Sequence, residues 1–243
     1  PSSPHSEREA ELAMDRLTSN LLLYRDLGED SILLRLAGIF RDYRMGNGER
    51  EALVSRIYAE VKRLLDLATQ YGFDTNLWHN YLSFVLITNE NSFSLTAERR
   101  GAAEGSVNRF AKADFRIFKR LFEYDFSGIE RDLKIDCFSI LSDYHAIPKL
   151  EKNYYKSVSE HVRSLSLALS RAKDETEFFN LVTGFYKRHG VGMFGLNRAF
   201  RIQNEGNGIA FLPINNADKI TLSDLIGYEV QKRELIANTE AFV

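Results

Sequence analysis

The 243-residue chain is short of several things, and each shortage narrows what it can be. Its single cysteine, Cys137, excludes an internal disulfide framework and a cysteine-built zinc cluster, and fits a reducing, cytoplasmic setting. It has four prolines, none between Pro4 and Pro148, so a long stretch is free of the strongest helix breaker. Its longest apolar runs, such as 21–24 and 84–87, fall far below the roughly 20 residues that span a bilayer. The polar stretch 1–11 lacks the apolar centre of a secretory signal. Neither sign of charge is in excess: 32 Lys and Arg stand against 34 Asp and Glu, a formal charge of −2. That disfavours a protein coating nucleic acid over its whole surface, while leaving local patches open. The phosphate-cradling pattern G-x-x-x-x-G-K-[ST] is missing. The five histidines show neither H-x-x-x-H nor H-E-x-x-H spacing, so no metal site is expected.

What is present is helical. Apolar residues make up 44% of the chain, too many for a disordered polymer. Over 49–69 they fall at Leu53, Val54, Ile57, Tyr58, Val61, Leu64, Leu65 and Ala68, the stripe of an amphipathic helix. Similar patterns predict helices over 7–27, 30–43, 76–87, 106–124, 130–144, 152–170 and 175–189, with 89–105 too polar to assign. Asp174-Glu-Thr-Glu177 resembles a capping box. After Gly190 the pattern changes. Segments 198–203 and 209–214, separated by Asn-Glu-Gly-Asn-Gly, predict a β-hairpin, followed by a linker over 215–219 and a helix over 227–242. The expected fold is mainly α: a multi-helix, bundle-like domain over 1–189, a small hairpin and linker over 190–219, and a C-terminal helical segment over 220–243.

Four groups of residues invite a functional reading. Gly190-Val-Gly-Met-Phe-Gly195 matches G-x-G-x-x-G literally, but a helix precedes it and a strand follows. A dinucleotide site needs the reverse order, so a helix end and turn is the expectation. Cys137 has Asp136, Asp143 and His145 nearby, yet lies on the apolar stripe Leu133, Cys137, Ile140, Leu141, Tyr144, which reads as a buried structural thiol rather than a nucleophile. Arg109, Lys112, Arg116, Lys119 and Arg120 fall on one helical face opposite Val107, Phe110, Ala111, Phe118, Leu121 and Phe122. They form a candidate docking strip for an acidic partner or phosphates, against the plainer reading of solvated surface or internal ion pairs. A thinner row, Lys149, Lys152, Lys156 and Arg163, follows. Asp114 sits within the apolar face, where a carboxylate must be paired or protonated; an ion pair with a neighbouring helix is expected.

Phe185-Tyr-Lys-Arg-His-Gly-Val-Gly-Met-Phe194, Arg198-Ala-Phe-Arg201, Leu212-Pro-Ile214 and the run from Ile220 to Phe242 resemble an uncharacterised family of bacterial AAA-type ATPases, the domain-of-unknown-function 815 family. Asn91-Ser-Phe-Ser-Leu-Thr-Ala-Glu-Arg99 resembles that family's N-terminal region. The resemblance implies that the family continues beyond Val243 into a strand and P-loop. This chain would then be the N-terminal region of an ATPase, without catalytic residues or cofactor of its own, whose parent uses ATP and Mg. It implies that Asp224-Leu-Ile-Gly-Tyr-Glu229 opens the ATPase module, with Ile226, Gly227 and Tyr228 on the adenine side of the nucleotide. Implied partners are the downstream AAA+ core and an unknown protein client, with oligomerisation through that core. Two alternatives stay open: a free-standing helical enzyme using Asp114, Cys137 or His145, and a nucleic-acid-binding module using the Arg109–Arg120 stripe.

Overall fold

Some helices in this chain begin where a side chain takes up their free N–H groups, and some stop where the backbone takes a positive φ. The computed structural model describes residues 13–147, 156–193, 200–204, 209–213, 222 and 226–241. Over these the protein is mainly α, a multi-helix fold. The helices are α1 (Met14–Ser19), α2 (Ile32–Arg44), α3 (Arg50–Tyr71), α4 (Leu77–Thr88), α5 (Ser92–Arg100), α6 (Val107–Phe122), α7 (Ser127–Leu133), α8 (Cys137–Ser142), α9 (Lys156–Ser170), α10 (Glu175–His189) and α11 (Glu229–Glu240). Strands β1 (Phe200–Asn204) and β2 (Ile209–Pro213) pair antiparallel, Phe200 opposite Pro213 and Asn204 opposite Ile209. The predicted linker 215–219 lies outside the described residues.

Asn76 caps α4 by accepting from the His79 N–H at 2.9 Å. The unassigned stretch 89–105 contains α5, opened by a reciprocal box: Asn91 Oδ1 accepts from Ser94 N at 2.9 Å, and Ser94 Oγ accepts from Asn91 N at 2.8 Å. Asp174 caps α10 through Thr176 N and Glu177 N, but Glu177 reaches back to the N–H of Lys173 rather than that of Asp174. Gly72, at φ +64°, ends α3.

Two predicted helices are corrected. The helix expected over 7–27 is present in the described residues only as α1; residues 7–12 lie outside them. It stops at Ser19 because the N–H groups of 22–24 turn onto Asp114 instead of back along a helix. The helix expected over 130–144 breaks in two at Lys134, which stands at φ +52°. Buried Glu130 supports the break: its carboxylate accepts from both Ser139 N (2.8 Å) and Ser139 Oγ (2.5 Å), tying α7 to α8. The break also turns Ile140 out of the expected apolar stripe to 54% exposure.

The core is centred on α4, which buries Leu77, Trp78, Tyr81, Leu82, Leu86 and Ile87 and packs against α3, α6, α8 and α9. Most of its polar side chains are paired as burial demands, although Ser83 Oγ is buried without a hydrogen-bond partner. Trp78 Nε1 donates to the Leu121 carbonyl at 2.8 Å, and Asn80 joins the Asp74 N–H to Ser166 Oγ. Around α4 the aromatics interlock, with Phe126 stacked on Phe138 at 4.3 Å and Phe115 between Tyr24, Phe93 and Phe178. A two-residue bridge, Thr75 to Tyr144, pins the end of α8 to the α3–α4 turn. No helix among the described residues is long and apolar enough to cross a membrane.

Candidate functional site

Asp114 corrects the ion pair expected of it. It is 1% exposed, and its carboxylate accepts three backbone N–H groups, from Leu22 (3.0 Å), Leu23 (2.8 Å) and Tyr24 (3.1 Å). Charge-assisted bonds from fixed amides satisfy the buried carboxylate without a cation. Its work is to shape the 20–24 turn.

The basic face of α6 is divided. Lys112 Nζ lies over the Phe179 ring at 5.3 Å, a cation–π contact to α10. Arg116 Nη2 pairs with Glu175 Oε1 at 2.7 Å, and this hydrogen bond holds the Glu175 carboxyl below its ordinary range. Lys119 pairs with Glu123 along the helix. Arg109 and Arg120 are exposed and without an ion pair among the described residues. Of the second row, Lys149 and Lys152 lie outside the described residues, and Arg163 is exposed.

Arg120 belongs to a feature that the sequence reading missed. Where α6 meets α1, α2 and α7, an open cleft of about 620 Å³ is lined by Arg44, Arg120, Arg131, Tyr43, Tyr124 and Asp15, among others. Arg44 pairs with Asp15 Oδ2 at 2.6 Å, while Asp15 Oδ1 is buried without a hydrogen-bond partner. Tyr43 donates to Asp132, and burial together with that carboxylate pushes its phenol up to about 12. Burial also raises Tyr124. These residues come from four helices and the turns between them, so no local spacing announces them; the α6 stripe alone touched the site.

Gly190 ends α10 at φ +79°, its N–H on the Tyr186 carbonyl at 2.9 Å. Gly192, at φ +77°, lies so near Glu90 that a Cβ would stand 1.8 Å from Oε1. Gly195 lies outside the described residues. A helix does precede these glycines, as the sequence order requires.

Ile226, Gly227 and Tyr228 lead into α11. Gly227 (φ +83°) and Tyr228 (φ +62°) are both left-handed, which for tyrosine is strained. Ile226 is 96% exposed and Tyr228 70%, and α11 buries none of its residues.

The residues of the enzyme reading are separate. Asp114 lies under the 20–24 turn. The Cys137 thiol is pushed up to about 11, first by burial and then by Glu130. His145 is exposed, with Nδ1 3.3 Å from the Asp143 carbonyl. No three His, Cys, Asp or Glu side chains among the described residues are placed to hold a metal. No protein-family model, curated protein or solved structure matches the chain.

Proposed function

We propose that the chain is a client-docking or regulatory region that works with an AAA+-type ATP-binding module, in the cytoplasm. The observation that carries this reading is the segment 226–241. It presents Ile226 and Tyr228 to solvent around the consecutive positive-φ residues Gly227 and Tyr228, then a helix with no buried residue. The body, by contrast, buries a full core from Met14 to Val191. An apolar, strained step exposed in this way suits a surface completed by another module. The family resemblance gives that module its chemistry. Ile226 would wall the adenine, and Gly227, with open space around it, would admit the base close to the backbone. The ATPase module would supply the phosphate cradle and Mg. The client is bound by the helical body.

The test is titration with a fluorescent adenine nucleotide. The 243-residue chain alone shows no saturable binding. Joined to a P-loop module, it binds, and Ile226→Ser with Tyr228→Ala weakens binding about tenfold, the loss of roughly 1.4 kcal/mol. Unchanged affinity in that variant overturns the reading.

A further inference from the structure

Two histidines at the end of the helical body are unexplained by either the core or the proposed nucleotide side. His161 on α9 and His189, the last residue of α10, face each other with ring centroids 4.2 Å apart and planes at 43°. Phe185 closes the group, 4.8 Å from His189 and 5.8 Å from His161. His161 Nδ1 is buried without a hydrogen-bond partner. Immediately beyond His189 the chain passes through Gly190 into Val191, 3% exposed and part of the core, and Met193, packed against it. The pair therefore sits where the α9–α10 seam anchors the segment leaving the helical body.

Two imidazoles this close are compatible when neutral and repel when both are charged. The charged groups acting on them are few. Glu160, beside His161 on α9, favours its protonation, and Arg188, beside His189 on α10, opposes it there. Helix α4, packed against α9, carries no charged residue; its titratable groups are His79, whose ring is bonded to the Phe122 carbonyl, and Tyr81, bonded to the Leu33 N–H. Helix α10 also packs against α5, which carries Glu98, Arg99 and Arg100, and against α6; no charged group of α3, α5 or α6 is among the causes that shift either ring. Burial holds both imidazoles below their ordinary value, and His189 lowers His161 further. A group whose folded value is depressed takes up more protons when released. The seam is therefore at full strength above the ordinary histidine value of about 6.5 and weakens as pH falls below it.

We propose that His161 and His189 form an acid-sensitive latch: protonation of the facing pair opens the α9–α10 seam and frees 191–193 from the core. The latch uses only this chain's own residues and holds with or without an ATPase module.

Hydrogen exchange of the intact chain at pH 7.5 and 5.5, corrected for intrinsic rates, tests it. Protection over 186–193 should fall at least tenfold relative to α4 in the wild type. In His161→Gln/His189→Gln, which cannot titrate, the fall should be under twofold. An unchanged wild-type ratio, or the same fall in the double variant, overturns the latch. Imidazole titration by NMR in the wild type is independent of whether that variant folds. Two coupled steps below 6.5 support the latch, and ordinary, uncoupled titration of both rings overturns it.

Discussion

Asp114 and Leu23, 91 positions apart in the chain, are joined by a 2.8 Å hydrogen bond from the Leu23 N–H to Asp114 Oδ2. The Leu22 and Tyr24 amides converge on the same carboxylate. A single buried side chain thus replaces the missing helical partners of a whole turn. Asp114→Ala leaves these amides without their acceptor and should cost about 3–5 kcal/mol, whereas Asp114→Asn keeps an acceptor and should cost about 1–2 kcal/mol. Urea unfolding measures both; a loss below about 1 kcal/mol for the alanine variant would mean the turn is held by other contacts.

A second buried link ties the same turn to α10 and α4. Tyr186 donates to the Leu86 carbonyl at 2.6 Å, so Tyr24 donates to the Tyr186 oxygen at 2.7 Å. Burial raises both phenols well above their ordinary value. Their neutral forms stabilise the fold fully below about pH 10, and that stability is lost as pH rises past it. In an ultraviolet alkaline titration, at least two of the eleven tyrosines should ionise only together with unfolding. Ionisation of all eleven while the far-ultraviolet helix signal persists would contradict this. Tyr186→Phe should cost about 1–2 kcal/mol.

Periodicity made the long helices legible: α3, α4, α6 and α10 stand within a few residues of where their apolar stripes put them. It misread two places where a polar side chain outweighs local propensity. The stripe through Leu133, Cys137 and Leu141 continues across Lys134, so nothing in the spacing showed the break; Glu130 reaching Ser139 decides it. Asp114 stood out as an anomaly, but its partners are amides, which every residue carries and no sequence pattern marks. The cleft around Arg44, Arg120 and Tyr124 escaped notice for a related reason, being assembled from separate helices.

Lys134 offers a test of that break. A lysine at φ +52° carries a penalty that glycine does not. Lys134→Gly should be neutral or stabilising by up to about 1 kcal/mol, and Lys134→Val should destabilise by more than that. If glycine here destabilised the protein as it does inside a helix, 130–144 would be one continuous helix after all. Thermal unfolding of both variants gives the answer.

Cys137 supplies a chemical probe of the same region. With its thiol near 11, the reactive thiolate is below about one part in a thousand at pH 7.5. Burial and the nearby Glu130 carboxylate both oppose ionisation. Alkylation by iodoacetamide should accelerate roughly a hundredfold when the chain is unfolded in urea, where the thiol returns to about 8.5. A folded-state rate equal to the unfolded one would show an activated thiol and revive the nucleophile reading.

The exposed C-terminal segment makes the sharpest contrast with these buried sites. Ile226 is 96% exposed, and Leu235 and Ile236 on α11 are 53% and 43% exposed. None of them is buried, so Ile226→Ser and Leu235→Ser forfeit little packing and should each shift unfolding by less than about 0.5 kcal/mol. Leu82→Ala, at a fully buried position of α4, should cost about 2–5 kcal/mol and serves as the calibrating case. If the α11 substitutions cost as much as Leu82→Ala, the helix would be packed against the body in solution, and its apolar side chains would not be waiting for another module. If they cost nothing alone but lower the stability of the chain joined to a P-loop module, the missing contacts of α11 lie on that module.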